Sequence, residues 1–572
     1  MKSGWLLSLA VTTLFAPLSS AAPSCKCLSF QPCWPSSSSF SQLASQLSQP
    51  LINPIPPASA CYPPFNPSSG GCLAVQSHLH DDAWRTNLPG AMISINFESY
   101  TFENGTIDAC YYNVLSGVPC HQGSIPVIGV DARSVSDIQA AVNFAAKGYL
   151  RLVVRNTGHD YSGRSAARGA FMLWTHNLKD ITYEDAFIPS GAPPNSQSYK
   201  ALTLGAGVQW VEAYKAADEH GRTVVGGACP SVGVVGGWVQ GGGHSVLSPS
   251  YGLGVDNAIQ FTVVLASGEY VTANDYQNQD LFWALRGGGG GTFGVVVSVT
   301  YRTHDILPVT THSVQVTFLT PTIAENVTTE LFSALPVLQD AHWGGGFILT
   351  KAGVNGLYFS QNDSPAQATW SSFVTRAIAA GGVVVTHDQN YPSFYQGYLA
   401  AYSSENILGG VPTEIVSRFL SRTIAEQQPG QVATVALGLA HPLVFMSAGG
   451  GAVSQVDPDS VAVHPAWRQS LGVMESVISW VEGTSTAAIN DERKVAAADL
   501  QSMDTVSLNS GTYLNEASLY EPNFQQAFFG SHYPRLKAIK GTYDPNDLFI
   551  VAKGVGSEDW DHTLNCRVGN SS

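Results

Sequence analysis

The chain has 572 residues, enough for more than one domain, and its 27 Lys+Arg against 42 Asp+Glu give a net charge of −15. Only 12% of the residues are charged while 44% are hydrophobic, which excludes a disordered acidic segment and points to a globular protein. The acidic balance offers no basic patch for nucleic acid and disfavours anionic lipid, so neither nucleic acid nor membrane is expected as a partner.

The chain opens MKSGWLLSLAVTTLFAPLSSAAP: Lys2, an apolar run from Trp5 to Leu14, then small residues from Ser19 to Ala22. That order predicts a secretory signal peptide over residues 1–22, with a signal anchor as the alternative, and hence a secreted protein. No other segment has the ~18 uninterrupted apolar residues a spanning helix needs. Residues 23–122 read as an N-terminal disulfide-rich arm, irregular through the Ser/Pro-rich stretch from Pro35 to Pro57. Sequons at Asn104, Asn326, Asn362 and Asn570 are candidate glycan positions.

Nine cysteines are present. Cys25, Cys27, Cys33, Cys61, Cys72, Cys110, Cys120 and Cys566 can form up to four disulfides in an oxidising compartment, and Cys566 can tie the C-terminal tail to the arm. Cys229 is left over. An odd cysteine is a buried inert thiol, an intermolecular link or a reactive group.

From Pro126 the texture becomes regular. PVIGVDARSVSDIQAAVNFAAKGYLRLVVRN predicts a strand over Val127–Val130, a helix capped by Asp131 or Ser134 and running through Ala146, and a strand over Leu152–Val154. VRNTGHDYSGRS then forms a polar glycine-bearing loop. ALTLGAGVQWVEAYKAADEHGRTVVGG reads strand, turn, helix, strand, and leads into GGACPSVGVVGGWVQGGGHSV, which holds Cys229. NAIQFTVVLASGEYVTA alternates about Ser267–Gly268 as a hairpin, and DLFWALRGGGGGTFGVVVSVTYRTH adds a glycine run and a valine-rich strand. Beyond about Leu307 a second α+β domain is expected. HSVQVTF, GGFILTKAG, GLYFSQ and ATVALGLA read as strands; TIAENVTTELFSALPVL, PAQATWSSFVTRAIAA and HPAWRQSLGVMESVISWVEG read as helices. YPSFYQGY, from Tyr391 to Tyr398, is either an aromatic pocket wall or core packing.

Glycine lets backbone amides approach a ligand closely, and such loops cradle phosphates. No Walker loop is present, because GGGHS lacks the lysine, and GVVGGWVQGGGHS does not match the dinucleotide fingerprint. Three glycine-rich segments in one lobe are explained together by a diphosphate cofactor lying across it. His159, His176, His220 and His244 lack ligand spacing, so no metal is expected.

RNTGHDYSG, ACPSVGVVGGWVQGGGHS, DLFWALRGGGGGTFGVV, GTYLNEA and YDPNDLF together resemble the FAD-linked oxidases of the vanillyl-alcohol oxidase superfamily, in particular the berberine bridge enzyme-like group with its secreted fungal members. The resemblance spans Pro126 to His304 and Gly511 to Phe549. It implies an α+β fold: a two-lobed FAD-binding domain of the p-cresol methylhydroxylase type over residues 123–306, and a substrate domain of antiparallel sheet and helices over 307–505. Residues 506–572 would return to the FAD domain. It implies FAD bound covalently through His159 at the 8α position and through Cys229, which precedes Pro230, at C6. Arg155, Asn156, Thr157, Gly158, Asp160, Tyr161, Ser162 and Gly163 would wrap the pyrophosphate. Gly227, Gly233, Gly236, Gly237, Gly242, Gly243 and His244 would line the ribityl chain and flavin. Val295 would touch the adenine side, and Asn515 with Tyr513 would meet the ring. Val232 matches the oxygen-permissive valine of plant members.

Two positions depart from the family pattern. Glu516 stands where many relatives carry the tyrosine that helps deprotonate substrate, so Glu516 and Tyr513 are the candidate bases. Trp238 follows Gly237 where relatives often have histidine. The implied function is an oxidase that moves a hydride from an alcohol or carbohydrate-like small molecule to flavin N5, with O2 reoxidation to hydrogen peroxide. An oxidative cyclase or dehydrogenase of secondary metabolism, and a flavin-containing binding protein without turnover, are the alternatives.

Overall fold

The computed structural model describes residues 25–63, 71–361, 364–402, 409–507, 509 and 511–568. The signal peptide and the sequons at Asn362 and Asn570 lie outside these residues, while Asn104 and Asn326 are both exposed. Among the described residues no helix is long and apolar enough to cross a membrane.

The arm is organised by charge as much as by apolar packing. Helix α1 (Asp82–Thr86) begins at Asp81, whose side chain accepts the Trp84 amide. Arg85 of α1 is fully buried and pairs with Glu98 at 2.5 Å. Glu98 Oε1 also accepts the Met92 amide at 2.8 Å, and Tyr112 donates to Glu98 Oε2 at 3.1 Å. Breaking such a pair strands a buried charge, at a cost of about 3–5 kcal/mol. The disulfides Cys27–Cys33, Cys61–Cys72 and Cys110–Cys120 close short loops within the arm. Cys25–Cys566 joins the arm to the tail, as the cysteine count allowed, and Cys229 is free.

The next region has two lobes. In the first, β1 (Ile128–Asp131), α2 (Val135–Gly148), β2 (Leu152–Arg155) and β3 (Phe171–Trp174) form a parallel sheet with β3 central. Ser134 caps α2 by accepting the Asp137 amide. In the second, β4 (Ile181–Phe187), β5 (Tyr199–Gly205), β6 (Ala258–Val264), β7 (Tyr270–Asn274) and β8 (Val295–Arg302) make an antiparallel sheet in the order β7-β6-β8-β5-β4. The expected hairpin is present, with Tyr270 opposite Val264. Helix α3 (Trp210–Glu219) lies between β5 and the loop that carries Cys229.

The second domain is built on a seven-stranded antiparallel sheet. Its strands are β9 (Val309–Thr317), β10 (Gly344–Thr350), β11 (Gly353–Ser360), β12 (Val383–Tyr391), β13 (Thr413–Ser421), β14 (Leu443–Ser447) and β15 (Ser470–Ser479), ordered β12-β9-β11-β10-β14-β15-β13. Helices α4 (Pro321–Asp340), α5 (Ser364–Ala379), α6 (Pro429–Gly438) and α7 (Thr486–Asp504) share one apolar core with one sheet face, through Val316, Phe347, Met474 and Ile478. The other face, with Phe359, Phe419 and Val473, joins the core of the two lobes.

Two sequence expectations are corrected. ATVALGLA lies mainly in helix α6, not a strand: Pro429 opens the helix, and an apolar run cannot distinguish a buried helix from a buried strand. HPAWRQSLGVMESVISWVEG is a short 3-10 turn followed by β15, not a helix. Its apolar residues fit helical spacing because β15 is covered on both faces and shows no polar alternation. YPSFYQGY turns out to be core, with Tyr398 1% exposed and its ring 4.5 Å from Tyr214 of α3.

Cys25–Cys566 closes a loop of 541 residues and holds the arm in place. Cys566→Ser is expected to cost about 2–5 kcal/mol, read as a lower thermal midpoint and faster proteolysis of the arm.

Candidate active site

The loop after β2 and the loop after α3 meet beside helix α1. His159 Nε2 lies 2.7 Å from Ser231 Oγ and 3.9 Å from Cys229 Sγ, although the two loops are about seventy residues apart. Cys229 Sγ is 3.5 Å from Ser231 Oγ and 4.0 Å from Asp82 Oδ2. Burial pushes the His159 imidazole down to about 4, with the Asp82 charge acting the other way, so the ring is neutral near pH 7. Burial pushes the Cys229 thiol up against the hydrogen bonds from Ser231, and raises the Asp82 carboxyl against the pull of His159. The donor atoms of Asp82, His159 and Cys229 lie within 4.8 Å of one another, close enough for one ion to bridge. Histidine spacing could not reveal that set, since it draws on three separate segments.

The first loop is held from outside by the arm. The buried Arg155 guanidinium donates to the Pro89 carbonyl at 2.9 Å and the Leu88 carbonyl at 3.4 Å, so its side chain serves the arm. The Gly158 carbonyl accepts the Ile93 amide at 3.1 Å, and at φ 81° this position favours glycine. Asp160 turns inward, accepting the Ser162 and Ser165 amides, and Thr157 Oγ1 lies 3.4 Å from the His159 amide. The Asn156 carbonyl accepts Trp174 Nε1, while its amide nitrogen abuts Gly233. Tyr161 is half-buried, and Gly163 packs on Phe97 of the arm.

In the second loop the Pro230 and Val232 carbonyls accept the Val211 and Trp210 amides, which moors the segment to the start of α3. Gly227 and Gly243 face the Trp238 ring, where a side chain on Gly243 would come within 2.8 Å of it, and Trp238 packs edge-on to Trp210. These glycines therefore make room for tryptophan. Gly242 lies against Val463, and the Val295 side chain is in the core.

Gly236 and Gly237 differ from these. A Cβ on Gly236 would meet nothing within 4 Å, and one on Gly237 would meet only Asn515 Oδ1, at 3.7 Å. Asn515 Nδ2 lies 2.7 Å from both the Gly237 carbonyl and the Tyr513 hydroxyl, and that hydroxyl is 3.3 Å from the Trp238 carbonyl. Tyr513 is 1% exposed, and burial plus the Glu516 charge hold its phenol protonated. Glu516 Oε2 is 2.8 Å from His244 Nε2 and is also hydrogen-bonded to Glu475 of β15. Burial and the neighbouring Glu516 charge raise Glu475 far above the ordinary carboxyl range. For Glu516 burial acts upward, but His244 and the Glu475 proton outweigh it and set the carboxyl below its usual value. The pair therefore holds one proton, on Glu475.

The residues present fit a flavin dinucleotide. The backbone at Gly236 and Gly237 borders open space, and the buried donors Asn156 Nδ2 and Arg164 Nη2 have no hydrogen-bond partner. A pyrophosphate or a ring carbonyl supplies the acceptors such groups need. A separate cavity of about 420 Å³ lies at edge strand β13, against α7, and of the expected site residues only Tyr161 lines it.

Residues 126–274 match the family described as FAD binding domain, and residues 512–556 match berberine and berberine like. The chain is 36% identical to an uncharacterized FAD-linked oxidoreductase of Arthroderma benhamiae, over 98% of both chains. It is 34% identical to the VAO-type flavoprotein oxidase VAO615 of Thermothelomyces thermophilus, over 94% of both. The crystal structure of the VAO-type flavoprotein MtVAO615 from Myceliophthora thermophila superposes with a TM-score of 0.84 at 30% identity, covering 95% of this chain and 100% of that one. The chain belongs to the berberine bridge enzyme-like FAD-linked oxidoreductases of the vanillyl-alcohol oxidase superfamily.

In this FAD-linked oxidoreductase four residues of the site escaped sequence reading. Asp82 lies in the arm, where no resemblance was claimed. Ser231 and Arg164 sit inside quoted motifs but carry no signal of their own. Glu475 was hidden because its segment read as a helix; a lone acid in an apolar run was the available clue. If the open backbone at Gly237 seats the cofactor, Gly237→Val leaves the thermal midpoint within about 1 kcal/mol of wild type in stability and removes most of the visible flavin absorbance.

Proposed function

We propose that the protein is a secreted oxidase of an alcohol or carbohydrate-like small molecule, with FAD tethered through His159 and Cys229 and O2 as electron acceptor. The observation that carries the chemical reading is the Glu516 carboxylate, gripped by His244 and a protonated Glu475 beside Asn515. FAD would supply the two-electron acceptor, hydride arriving at N5 and the electrons passing to O2 as hydrogen peroxide. Glu516 Oε2 takes the substrate hydroxyl proton. His244 and Glu475 orient that carboxylate and keep it charged, and Tyr513, being a protonated phenol, acts as a donor.

Several features support the finer parts. A neutral His159 and the adjacent Cys229 are two nucleophiles close enough to reach one edge of a flavin ring. Val232 flanks Cys229 as the oxygen-permissive valine. Four disulfides among the described residues suit an oxidising compartment.

Acid precipitation followed by peptide mass mapping is expected to leave the pellet yellow, with flavin mass on the His159 and Cys229 peptides; colourless protein would overturn the tether. Glu516→Gln is expected to lower kcat by about 10²–10⁴ with flavin content intact. Because a base works only when deprotonated, activity falls as pH drops through the Glu516 value. That value is held below the ordinary glutamate range by His244 and the Glu475 proton, so the acid limb of kcat/KM lies below that range and vanishes in the variant. Peroxide release with product analysis separates simple oxidation from oxidative cyclisation.

A further inference from the structure

We propose that Asp82, delivered by the N-terminal arm, is the proton acceptor with which this chain attaches its own flavin. The inference rests on the tether reading above and adds to it a residue outside the flavin-binding lobes. Asp82 is the first residue of α1 and is 3% exposed. Its Oδ2 lies 4.0 Å from Cys229 Sγ, and its Oδ1 is buried without a hydrogen-bond partner. A buried carboxylate normally collects donors. Here the walls supply none: Gly409 stands so close that a Cβ on it would lie 1.7 Å from Oδ1. Arg85, one turn along α1, is committed to Glu98 and the Met92 carbonyl. Asp82 is thus a base with one oxygen free of donors and the other facing the Cys229 thiol, beside two nucleophiles.

The geometry assigns the proton movements. At Cys229 the Sγ–H bond breaks and the proton passes to Asp82 Oδ2, while Sγ bonds to ring carbon C6. The hydrogen on that carbon leaves as a proton, and the electron pair of its bond passes through the ring to dioxygen, which with two protons becomes hydrogen peroxide. At His159 the reactive tautomer is the one that keeps its proton on Nε2, 2.7 Å from Ser231 Oγ, and leaves on Nδ1 the lone pair that bonds to the 8α carbon. One methyl hydrogen leaves as a proton, and a second dioxygen takes the electron pair. The ring gains positive charge as that bond forms, Asp82 balances it, and the Nε2 proton leaves through Ser231. Each tether therefore consumes one dioxygen, one N–H or S–H hydrogen and one flavin hydrogen, and yields one hydrogen peroxide.

The test is peptide mass mapping of the full secreted chain, in wild type, Asp82→Asn and Asp81→Asn, at equal times after harvest. Asp81 is the control: it is the adjacent acid, and asparagine caps α1 equally well. The expected result is a tethered fraction at Cys229 at least about tenfold lower in Asp82→Asn, the modest end of what a positioned base contributes. The His159 tether falls too, flavin appears in the acid supernatant, and Asp81→Asn matches wild type. Should Asp82→Asn carry no flavin in either fraction, Asp82→Ala with and without added formate decides, formate restoring the tether if a carboxylate is all that is missing. Equal tethering in wild type and Asp82→Asn, equal loss in both variants, or no formate rescue overturns the proposal while the tether reading stands. No tether in wild type overturns that reading itself.

Discussion

Two buried guanidinium groups, one ordering the arm from within and one tying it to the flavin-binding lobes, are what the site depends on. Arg155, at the end of β2, reaches out to the Leu88 and Pro89 carbonyls; Arg85, in α1, is tied to Glu98 and the Met92 carbonyl. Burial lowers Arg155 to about 10, with Glu98 partly opposing it, so the group remains charged and its carbonyl partners are costly to lose. The first glycine loop and helix α1 are consequently fixed to each other, which puts Asp82, His159, Cys229 and Ser231 in one place.

The second cluster arises from the two-sided sheet. Met474 points to the helix-covered core, while Val473 faces the lobes. Strand alternation puts Glu475 on the lobe side with Val473. Ser417, opposite Glu475 on β13, hydrogen-bonds the Glu516 carbonyl and positions the returning tail. A carboxyl from the sheet, one from the tail and an imidazole from a glycine loop then share a poorly solvated space. Two carboxylates so placed cannot both ionise, and the proton settles on the more deeply buried one.

The glycines divide by what they face. Gly227 and Gly243 admit the Trp238 ring, Gly158 supplies a left-handed turn, and Gly236 with Gly237 borders open space. A glycine-dense motif is thus only partly a ligand cradle. Trp238, where relatives often have histidine, fills a hydrophobic slot lined by those glycines.

The sequence by itself pointed to the family through its glycine-rich motifs, and to β1, α2, β2, β5, α3, the β6–β7 hairpin and β8, because glycine spacing, caps and the hairpin alternation are local signals; β3 and β4 were not read from it. It also singled out Cys229 by parity. Only the tertiary structure decided which acids matter. Asp82 and Glu475 enter the candidate site through neighbours 77 and 41 positions away, His159 and Glu516 respectively, brought close by the arm and the sheet. It also turned one expected helix into β15 and one expected strand into α6: β15 is buried on both faces and shows no polar alternation, and the short apolar run of α6 reads equally as either element.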